Sequence, residues 1–243
     1  MSRPFLFLGT RAEDDIATEE FEAVRRFCQL PESRLDWLRV EQAPLPAIDL
    51  DRYAGIITGG SPFNSSDPIE IKSAVQRRVE ADLGRLLDEI VARDLPFFGA
   101  CYGIGTLGAH QGATIDRTYG EPPGASHITL TEEGAADPIC AGLPLEFDAF
   151  VGHKEAVRTL PPNGVLLATS GPCPVQMFRI RTNLYATQFH PELDAAGLIS
   201  RLAAYRNHGY FEPNELDRLV NEAQAANVEH APTVLRNFAE RYG

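Results

Sequence analysis

Runs of apolar residues alternate with amphipathic stretches along the first hundred residues of the chain. The segments 19–30 and 69–92 carry apolar residues at the spacing of an α-helix, so both are predicted to be helices. The apolar runs between them are continuous, which is typical of strands in a parallel sheet that is covered on both faces. These predicted strands are 5–8, 35–40, 54–58 and 95–100. The alternation predicts an α/β fold with an open, mostly parallel sheet and helices on both faces.

The rest of the chain is richer in short strands and ends in helices. Further strands are predicted at 113–119, 127–130, 147–157, 164–169, 175–179 and 184–189, with a turn at 132–134. Helices are predicted at 196–205, 213–226 and 232–241. We expect one domain over residues 1–210, with a C-terminal helical extension over residues 211–243 that packs on the same domain.

A glycine pair follows the predicted strand 54–58. In an open α/β sheet, ligands bind at the carboxyl ends of the strands. Gly59 and Gly60 lie at such an end, and consecutive glycines free the backbone to turn its N–H groups toward a ligand. The alternative is an ordinary tight turn, which the neighbouring Ser, Pro and Asn residues also favour.

The apolar run 95–100 leads into a cysteine between two glycines. Cys101 has Gly99 and Gly103 two residues to either side, and a small-residue segment of helical character follows. This pattern predicts a nucleophile elbow, a sharp strand-to-helix turn whose neighbours must be small. The N-terminus of the helix would favour a thiolate and a developing oxyanion. The alternative is a buried structural cysteine, since unpaired cysteines are among the most buried residues.

A second candidate stretch, 188–192 with the sequence QFHPE, closes the predicted strand 184–189. Because a proline fixes the backbone between His190 and Glu192, both side chains can lie on the same side. A cysteine nucleophile needs a base and a group that orients that base. Cys101, His190 and Glu192 supply these three roles, whereas His190 alone would be interpreted as a structural or surface histidine.

Composition and charge exclude several classes of partner. The chain is 44% hydrophobic and 23% charged, as in ordinary globular proteins, and its formal net charge of -12 argues against nucleic acid or an anionic membrane surface. Four cysteines without metal-ligand spacing predict reduced thiols and no metal or cofactor. The apolar N-terminal run is too short for a signal peptide, and no segment approaches the roughly 20 apolar residues that span a bilayer. We expect a cytoplasmic protein with no nucleic-acid or membrane partner.

Three of these motifs together resemble the class I (triad) glutamine amidotransferases. The stretches 99–103 (GACYG) and 188–192 are similar to the two signature motifs of that family, and 58–61 (TGGS) resembles its oxyanion loop. The motifs occur in the family's order and at similar separations, and the resemblance covers roughly residues 5 to 205. Among the branches, the chain looks most like the amidotransferase domain of GMP synthase and its stand-alone relatives, and 152–155 (GHKE) resembles a segment of that branch.

The resemblance implies a flavodoxin-like domain that hydrolyses the side-chain amide of glutamine and releases ammonia through a γ-glutamyl thioester. It implies that Cys101 attacks the amide carbon, that His190 moves the proton to ammonia and that Glu192 orients His190. The backbone N–H groups of Gly60 and Tyr102 would form the oxyanion hole.

The resemblance also implies a substrate pocket. The residues expected to contact the substrate are Gly59, Gly152, His153, Glu155 and Gln188. Glu155 would lie near the ammonium group of the substrate, and the alternative for 152–155 is a solvated turn. Gly105 departs from the family, since many members carry at that position a Gln that helps to hold glutamine.

Three hypotheses follow for the function. The first is a glutaminase-type amidotransferase, and the second, which Gly105 leaves open, is a hydrolase of γ-glutamyl peptides or γ-glutamyl amines. The third is a non-catalytic binding module, against which the intact Cys, His and Glu set argues. A complete GMP synthase also needs a phosphate loop to bind ATP, and nothing after residue 205 offers one. Either a synthetase partner receives the ammonia, or the protein is a free-standing hydrolase.

Overall fold

The computed structural model describes residues 2–243, with eleven strands and seven α-helices among them. The strands are β1 (Phe5–Gly9), β2 (Leu35–Arg39), β3 (Gly55–Thr58), β4 (Phe97–Ala100), β5 (Thr114–Asp116), β6 (Glu121–Leu130), β7 (Glu146–His153), β8 (Ala156–Thr159), β9 (Gly164–Ser170), β10 (Met177–Ile180) and β11 (Leu184–Thr187). The helices are α1 (Asp14–Phe27), α2 (Ala74–Arg93), α3 (Tyr102–His110), α4 (Glu132–Ala136), α5 (Ala195–Ala204), α6 (Leu216–Ala225) and α7 (Thr233–Tyr242).

Nine strands form one open sheet in the order β2-β1-β3-β4-β11-β10-β9-β6-β7. The first five strands in this order pair in parallel, and the pairs from β11 to β7 are antiparallel. The remaining strands, β5 and β8, form a separate antiparallel pair. The predicted open α/β sheet is confirmed. The carboxyl ends of β1, β3, β4 and β11, which are neighbours, meet at one edge of the sheet.

The two faces of the sheet bury separate hydrophobic cores. In β1, Phe5 and Phe7 face a core shared with α1 and α7, while Leu6 and Leu8 face a core shared with α2 and α3. All four side chains are fully buried, as expected of a strand in a sheet covered on both faces. The predicted placement of helices on both faces is confirmed.

The two amphipathic helices differ from the prediction at their first turns. α1 begins five residues before the predicted start, because Asp14 and Asp15 in its first turn complement the positive end of the helix dipole. α2 begins at Ala74 rather than at residue 69, because the Ser73 side chain accepts a hydrogen bond from the N–H of Gln76 and caps the helix.

Several strand bounds in the second half were also predicted wrongly. The stretch 147–157 is divided between β7 and β8, and only Thr114–Asp116 of the stretch 113–119 is a strand. β6 starts six residues before the predicted strand 127–130 and includes two prolines. The predicted turn at 132–134 is the start of helix α4, which the Thr131 side chain caps.

Helices α6 and α7 both pack on the rest of the chain. α6 buries Leu219 and Ala223 against Leu198 and Leu202 of α5. No helix among residues 2–243 is long and apolar enough to cross a membrane.

Phe238 of α7 packs against the sheet. Its ring is fully buried and lies 5.8 Å from Phe5, 5.5 Å from Phe98 and 6.4 Å from Tyr185, measured between ring centroids. All three partners belong to inner strands of the parallel part of the sheet, β1, β4 and β11. α7 therefore completes the core on the face that it shares with α1.

Replacing Phe238 with Ala should lower the free energy of unfolding by about 3–5 kcal/mol, because the substitution leaves a cavity between α7 and the sheet. Denaturant unfolding of the whole chain measures the change. Glu240→Ala, on the exposed side of the same helix, is the control and should change stability by less than about 0.5 kcal/mol. A loss below about 1 kcal/mol for Phe238→Ala would mean that α7 does not complete this core.

Candidate active site

Cys101 lies on a sharp turn between β4 and α3. Its backbone has φ +52° and ψ −93°, a conformation that side-chain-bearing residues rarely adopt, and its N–H donates to the carbonyl of Thr187 at 2.7 Å. The turn requires glycines on both sides. A Cβ on Gly99 would lie 2.8 Å from the carbonyl carbon of Gly103, and a Cβ on Gly103 would lie 2.5 Å from Thr58 Oγ1. The predicted nucleophile elbow is present.

The ends of three adjacent strands bring the candidate residues together. Gly60 follows β3, Cys101 follows β4 and His190 follows β11. A Cβ placed on Gly60 would lie 3.1 Å from His190 Cε1 and 3.6 Å from Cys101 Cβ. These residues, distant in the sequence, therefore meet at the carboxyl edge of the sheet, where ligands bind in open α/β folds.

His190 and Glu192 form a buried hydrogen-bonded pair. Nδ1 of His190 lies 2.7 Å from Glu192 Oε1, and the two residues are 4% and 1% exposed. Burial alone would lower the pKa of His190, but the negative charges of Glu192 and Cys101 outweigh it and raise that pKa to about 9. Burial opposes ionisation of Glu192, yet the charges of His190 and Arg201 hold its pKa well below the usual range. The pair is an imidazolium and a carboxylate at neutral pH.

Arg201 on α5 forms ion pairs with Glu192 and with a second buried carboxylate, Glu20. Its Nη1 donates to Glu192 Oε1 at 3.0 Å, and its Nη2 donates to Glu20 Oε1 on α1 at 3.1 Å. Breaking a buried ion pair by removal of one partner typically costs about 3–5 kcal/mol. Arg201 thus satisfies two carboxylates that would otherwise be costly to bury.

Cys101 differs from the other three cysteines in its exposure. Cys28, Cys140 and Cys173 are buried, whereas Cys101 is partly exposed. Burial raises the pKa of Cys140 and of Cys173 to about 12, which keeps both as inert thiols at neutral pH. Cys101 is the cysteine that a substrate can reach.

A second Cys, His and Glu group lies deeper in the fold. Potential ligand atoms of Glu121, His153 and Cys173 lie within 4.8 Å of one another. His153 Nε2 lies 2.9 Å from Glu121 Oε2, which also accepts a hydrogen bond of 2.7 Å from Gln176. Since the Cys173 side chain is fully buried and its thiol donates to the carbonyl of Val175, this group is a structural network rather than a reactive one.

Two cavities meet at Cys101. We call them the Arg11 cavity and the Glu155 cavity, and both are also lined by Ser61, Gly152 and Tyr210. The Arg11 cavity, of about 50 Å³, contains His190 and is lined further by Val151, Leu198, Leu202, Tyr205 and Phe211. The Glu155 cavity, of about 20 Å³, contains Tyr102, Gly105, His153 and Gln188.

Four of the five residues predicted to contact the substrate line these cavities. Gly152 faces both, and His153, Glu155 and Gln188 face the Glu155 cavity. The Glu155 carboxylate accepts hydrogen bonds of 2.6 and 2.7 Å from the backbone N–H groups of Ser65 and Ser66. The segment 152–155 is therefore folded into the site. Gly59 lines neither cavity and lies beside Glu20 instead, so its role in substrate binding stays a prediction.

The structure explains the departure at Gly105. A Cβ on this residue would lie 3.0 Å from Ser65 Oγ and 3.4 Å from Glu155 Oε1. These contacts are tight, so a side chain at this position would require Ser65 to shift. Glycine at 105 thus makes room for the loop that Glu155 fixes.

The predicted oxyanion donors differ in their availability. Tyr102 is the first residue of α3, so its backbone N–H is among the donors that have no partner within the helix. The N–H of Gly60, in contrast, donates to Glu20 Oε1 at 3.2 Å. Only the N–H of Tyr102 is free of a side-chain partner in this arrangement.

Sequence reasoning missed Arg11, Glu20, Arg201, Tyr205 and Tyr210. The first two belong to the first strand-helix unit, and the last three belong to α5 and the segment after it. One signal was present for Arg11, since it follows the first predicted strand closely and the carboxyl-end rule applies to every parallel strand. The aromatic residues carried no such signal, because nothing in their spacing shows that they fold back over Cys101.

Comparison with known proteins gives consistent matches. A family model described as glutamine amidotransferase class-I matches residues 36–202. GMP synthase (glutamine-hydrolyzing) of Exiguobacterium sibiricum is 31% identical over 143 residues, which are 58% of this chain. A glutamine-hydrolyzing GMP synthase subunit of Thermoplasma acidophilum is 27% identical over 147 residues, or 60% of this chain.

The matches also differ in how much of the other protein they cover. The alignment spans 24% of the Exiguobacterium protein and 66% of the Thermoplasma subunit, less than two thirds of each. A crystal structure of a glutamine amidotransferase from Thermotoga maritima superposes with a TM-score of 0.78 at 19% identity, covering 100% of this chain and 99% of that chain. The whole of this chain thus has the fold of that structure.

His190 should titrate near pH 9, and Glu192→Gln should lower its pKa because the negative charge beside the ring is removed. NMR titration of the histidine side chains measures both values. Since the pKa of His190 is raised above its ordinary value of 6.5, its contribution to stability is full below about pH 6.5 and is lost as the pH rises through about 9. The difference in unfolding free energy between the wild type and His190→Gln should shrink over that interval.

The control for the titration is Glu229→Gln. This substitution removes an exposed carboxylate outside both cavities and should leave the titration midpoint of His190 unchanged. Titration of His190 near pH 6.5 in the wild type would contradict the assigned ion pair.

Proposed function

Because the chain belongs to the class I glutamine amidotransferase family, we propose that it hydrolyses the side-chain amide of glutamine to glutamate and ammonia. The observation that carries this proposal is the partly exposed Cys101 on its elbow beside a histidine that is hydrogen-bonded to Glu192. Cys101 is the nucleophile, His190 the acid and base, and Glu192 the residue that orients His190.

In the first half of the reaction, the sulfur of Cys101 attacks the amide carbon of glutamine as a thiolate, while His190 holds the proton. The carbonyl electrons move to the oxygen, which becomes an oxyanion. When the tetrahedral intermediate collapses, His190 gives the proton to the nitrogen, the C–N bond breaks and ammonia leaves. The product on the enzyme is a γ-glutamyl thioester on Cys101.

In the second half, water replaces ammonia. His190 takes a proton from the water, whose oxygen attacks the thioester carbon, and the C–S bond breaks to release glutamate. The high pKa of His190 suits it to hold the proton while the sulfur is a thiolate. Glu192 stabilises that charged form of the ring, and Arg201 fixes the orientation of Glu192.

The two cavities support an orientation for the substrate. A general acid must reach the leaving nitrogen, and His190 lines the Arg11 cavity, so ammonia departs on that side. The amino-acid end of glutamine then lies in the Glu155 cavity, where the carboxylate of Glu155 attracts its ammonium group. The N–H of Tyr102 donates to the oxyanion, whereas the N–H of Gly60 donates to Glu20.

We further propose that a separate synthetase receives the ammonia. One matched relative is named as a subunit of GMP synthase, and the matched part of another is about a quarter of a complete GMP synthase. This chain corresponds to the glutamine-hydrolysing part in both cases. A GMP-synthase-like partner is therefore the acceptor class that these relatives support.

Cys101→Ala should reduce glutamate release from glutamine by at least about 10³-fold, because it removes the atom that forms the thioester. Steady-state assays of glutamate and ammonia measure the rate, and thermal unfolding checks that the fold is kept. Cys140→Ala, at a buried cysteine outside both cavities, is the matched control and should keep the wild-type rate. A Cys101→Ala rate within about tenfold of the wild type would refute the assignment of the nucleophile.

A further inference from the structure

Arg11 is a buried arginine with one nitrogen, Nη2, that is left without a protein partner. It follows β1 and is only 4% exposed. Its Nε donates to Glu20 Oε1 at 2.9 Å, and its Nη1 donates to the Tyr205 hydroxyl at 3.1 Å. Within residues 2–243, Nη2 has no hydrogen-bond partner. Arg11 lines the Arg11 cavity together with Cys101 and His190, so this unpaired nitrogen is available to a ligand in that cavity.

The unused donor lies where the candidate catalytic residues meet. The position that a Cβ on Gly60 would occupy is 2.6 Å from Arg11 Nη2, 3.1 Å from His190 Cε1 and 3.6 Å from Cys101 Cβ. Arg11, Cys101 and His190 also line the same cavity. Nη2 is thus close to the space in which the carbonyl group of a substrate would react.

The oxyanion hole at this place has only one free backbone donor. The oxyanion of a tetrahedral intermediate is usually held by two or more donors. Tyr102 supplies one backbone N–H, but the N–H of Gly60 is already used by Glu20. The unpaired Nη2 of Arg11 therefore lies next to the residue whose N–H is already used.

We propose that Arg11 is a catalytic residue whose Nη2 donates a hydrogen bond to the oxyanion formed at Cys101, together with the N–H of Tyr102. This inference rests on the proposed function. No proton is transferred to or from Arg11: the hydrogen bond forms as the carbonyl oxygen gains charge and weakens when the C–N bond breaks. A charge-assisted bond of this kind is about twice as strong as one between neutral groups.

The surrounding charges keep this donor available. Two buried carboxylates, Glu20 and Glu192, are ion-paired with two buried guanidinium groups, Arg11 and Arg201. The charges of these four side chains balance. The Nη2 of Arg11 is therefore not needed to compensate a further carboxylate, and it meets new negative charge only in the reaction.

A simpler role for Arg11 is to neutralise Glu20. That role predicts that any cation at position 11 is sufficient and that the chemical step is unaffected once Glu20 is also neutral. A role in binding the amino-acid end of glutamine would change KM instead, but Arg11 lines the cavity on the His190 side rather than the Glu155 cavity. One set of variants distinguishes these three roles of Arg11.

The decisive comparison is between Glu20→Gln and the double variant Arg11→Met with Glu20→Gln, because the double variant leaves no unpaired carboxylate at position 20. Turnover of glutamine by the wild type tests the proposed function by itself, and the ratio of the two variants tests Arg11. We expect the double variant to lose about 10²–10³-fold in kcat with KM changed less than about threefold. Arg11→Lys, which keeps the charge beside Glu20 but lacks Nη2, should lose at least about tenfold in kcat.

Two readouts distinguish this role from a structural one. Alkylation of Cys101 by iodoacetamide forms no oxyanion, so its plateau rate at high pH should be the same in both variants. Guanidinium ion added to Arg11→Ala should restore part of kcat by occupying the vacated space. Arg25→Met, at a partly exposed arginine on α1, is the control for loss of an arginine. A kcat for the double variant within about threefold of that for Glu20→Gln would overturn the proposal.

Discussion

The hydrogen bond between Glu192 and His190 is the interaction on which the site depends. It joins two residues that are almost fully buried, so it persists only if the surrounding structure compensates the carboxylate. Arg201 provides that compensation from α5, and it also contacts Glu20 of α1. The orientation of a single imidazole ring therefore requires two helices from opposite ends of the chain to pack beside the sheet. The packing of α1 and α5 therefore fixes the imidazole ring that serves Cys101.

The site is built from more than the region that defines the family. The matched region, residues 36–202, contains Cys101, His190 and Glu192. Arg11 and Glu20 precede that region, and Tyr205 and Tyr210 follow it, yet Arg11 and the two tyrosines line the cavity that contains His190. Tyr210 lines the Glu155 cavity as well, so this segment covers both sides of Cys101. The family's motifs thus supply the reacting groups, and the flanking segments supply their surroundings.

The sequence predicted best where one local pattern determines the structure. The elbow was predictable because Gly99 and Gly103 reflect a backbone contact that excludes any Cβ, and the strands of the parallel half were predictable because continuous apolar runs are buried on both faces. Helix starts were predicted less well, since a single capping side chain such as Ser73 outweighs several residues of apolar periodicity. The hydrogen bond from Gly60 to Glu20 was not predictable. It joins residues 40 positions apart, and Glu20 belongs to none of the recognised sequence motifs.

The most direct test of the central claim, that Cys101 forms a γ-glutamyl thioester, is to trap the intermediate. The wild-type chain is mixed rapidly with glutamine, quenched in acid and digested, and the peptides are examined by mass spectrometry. A γ-glutamyl adduct should appear on the peptide that contains Cys101 and on none that contains Cys28, Cys140 or Cys173. Release of glutamate without an adduct on Cys101, or an adduct on Cys173 instead, would contradict the claim.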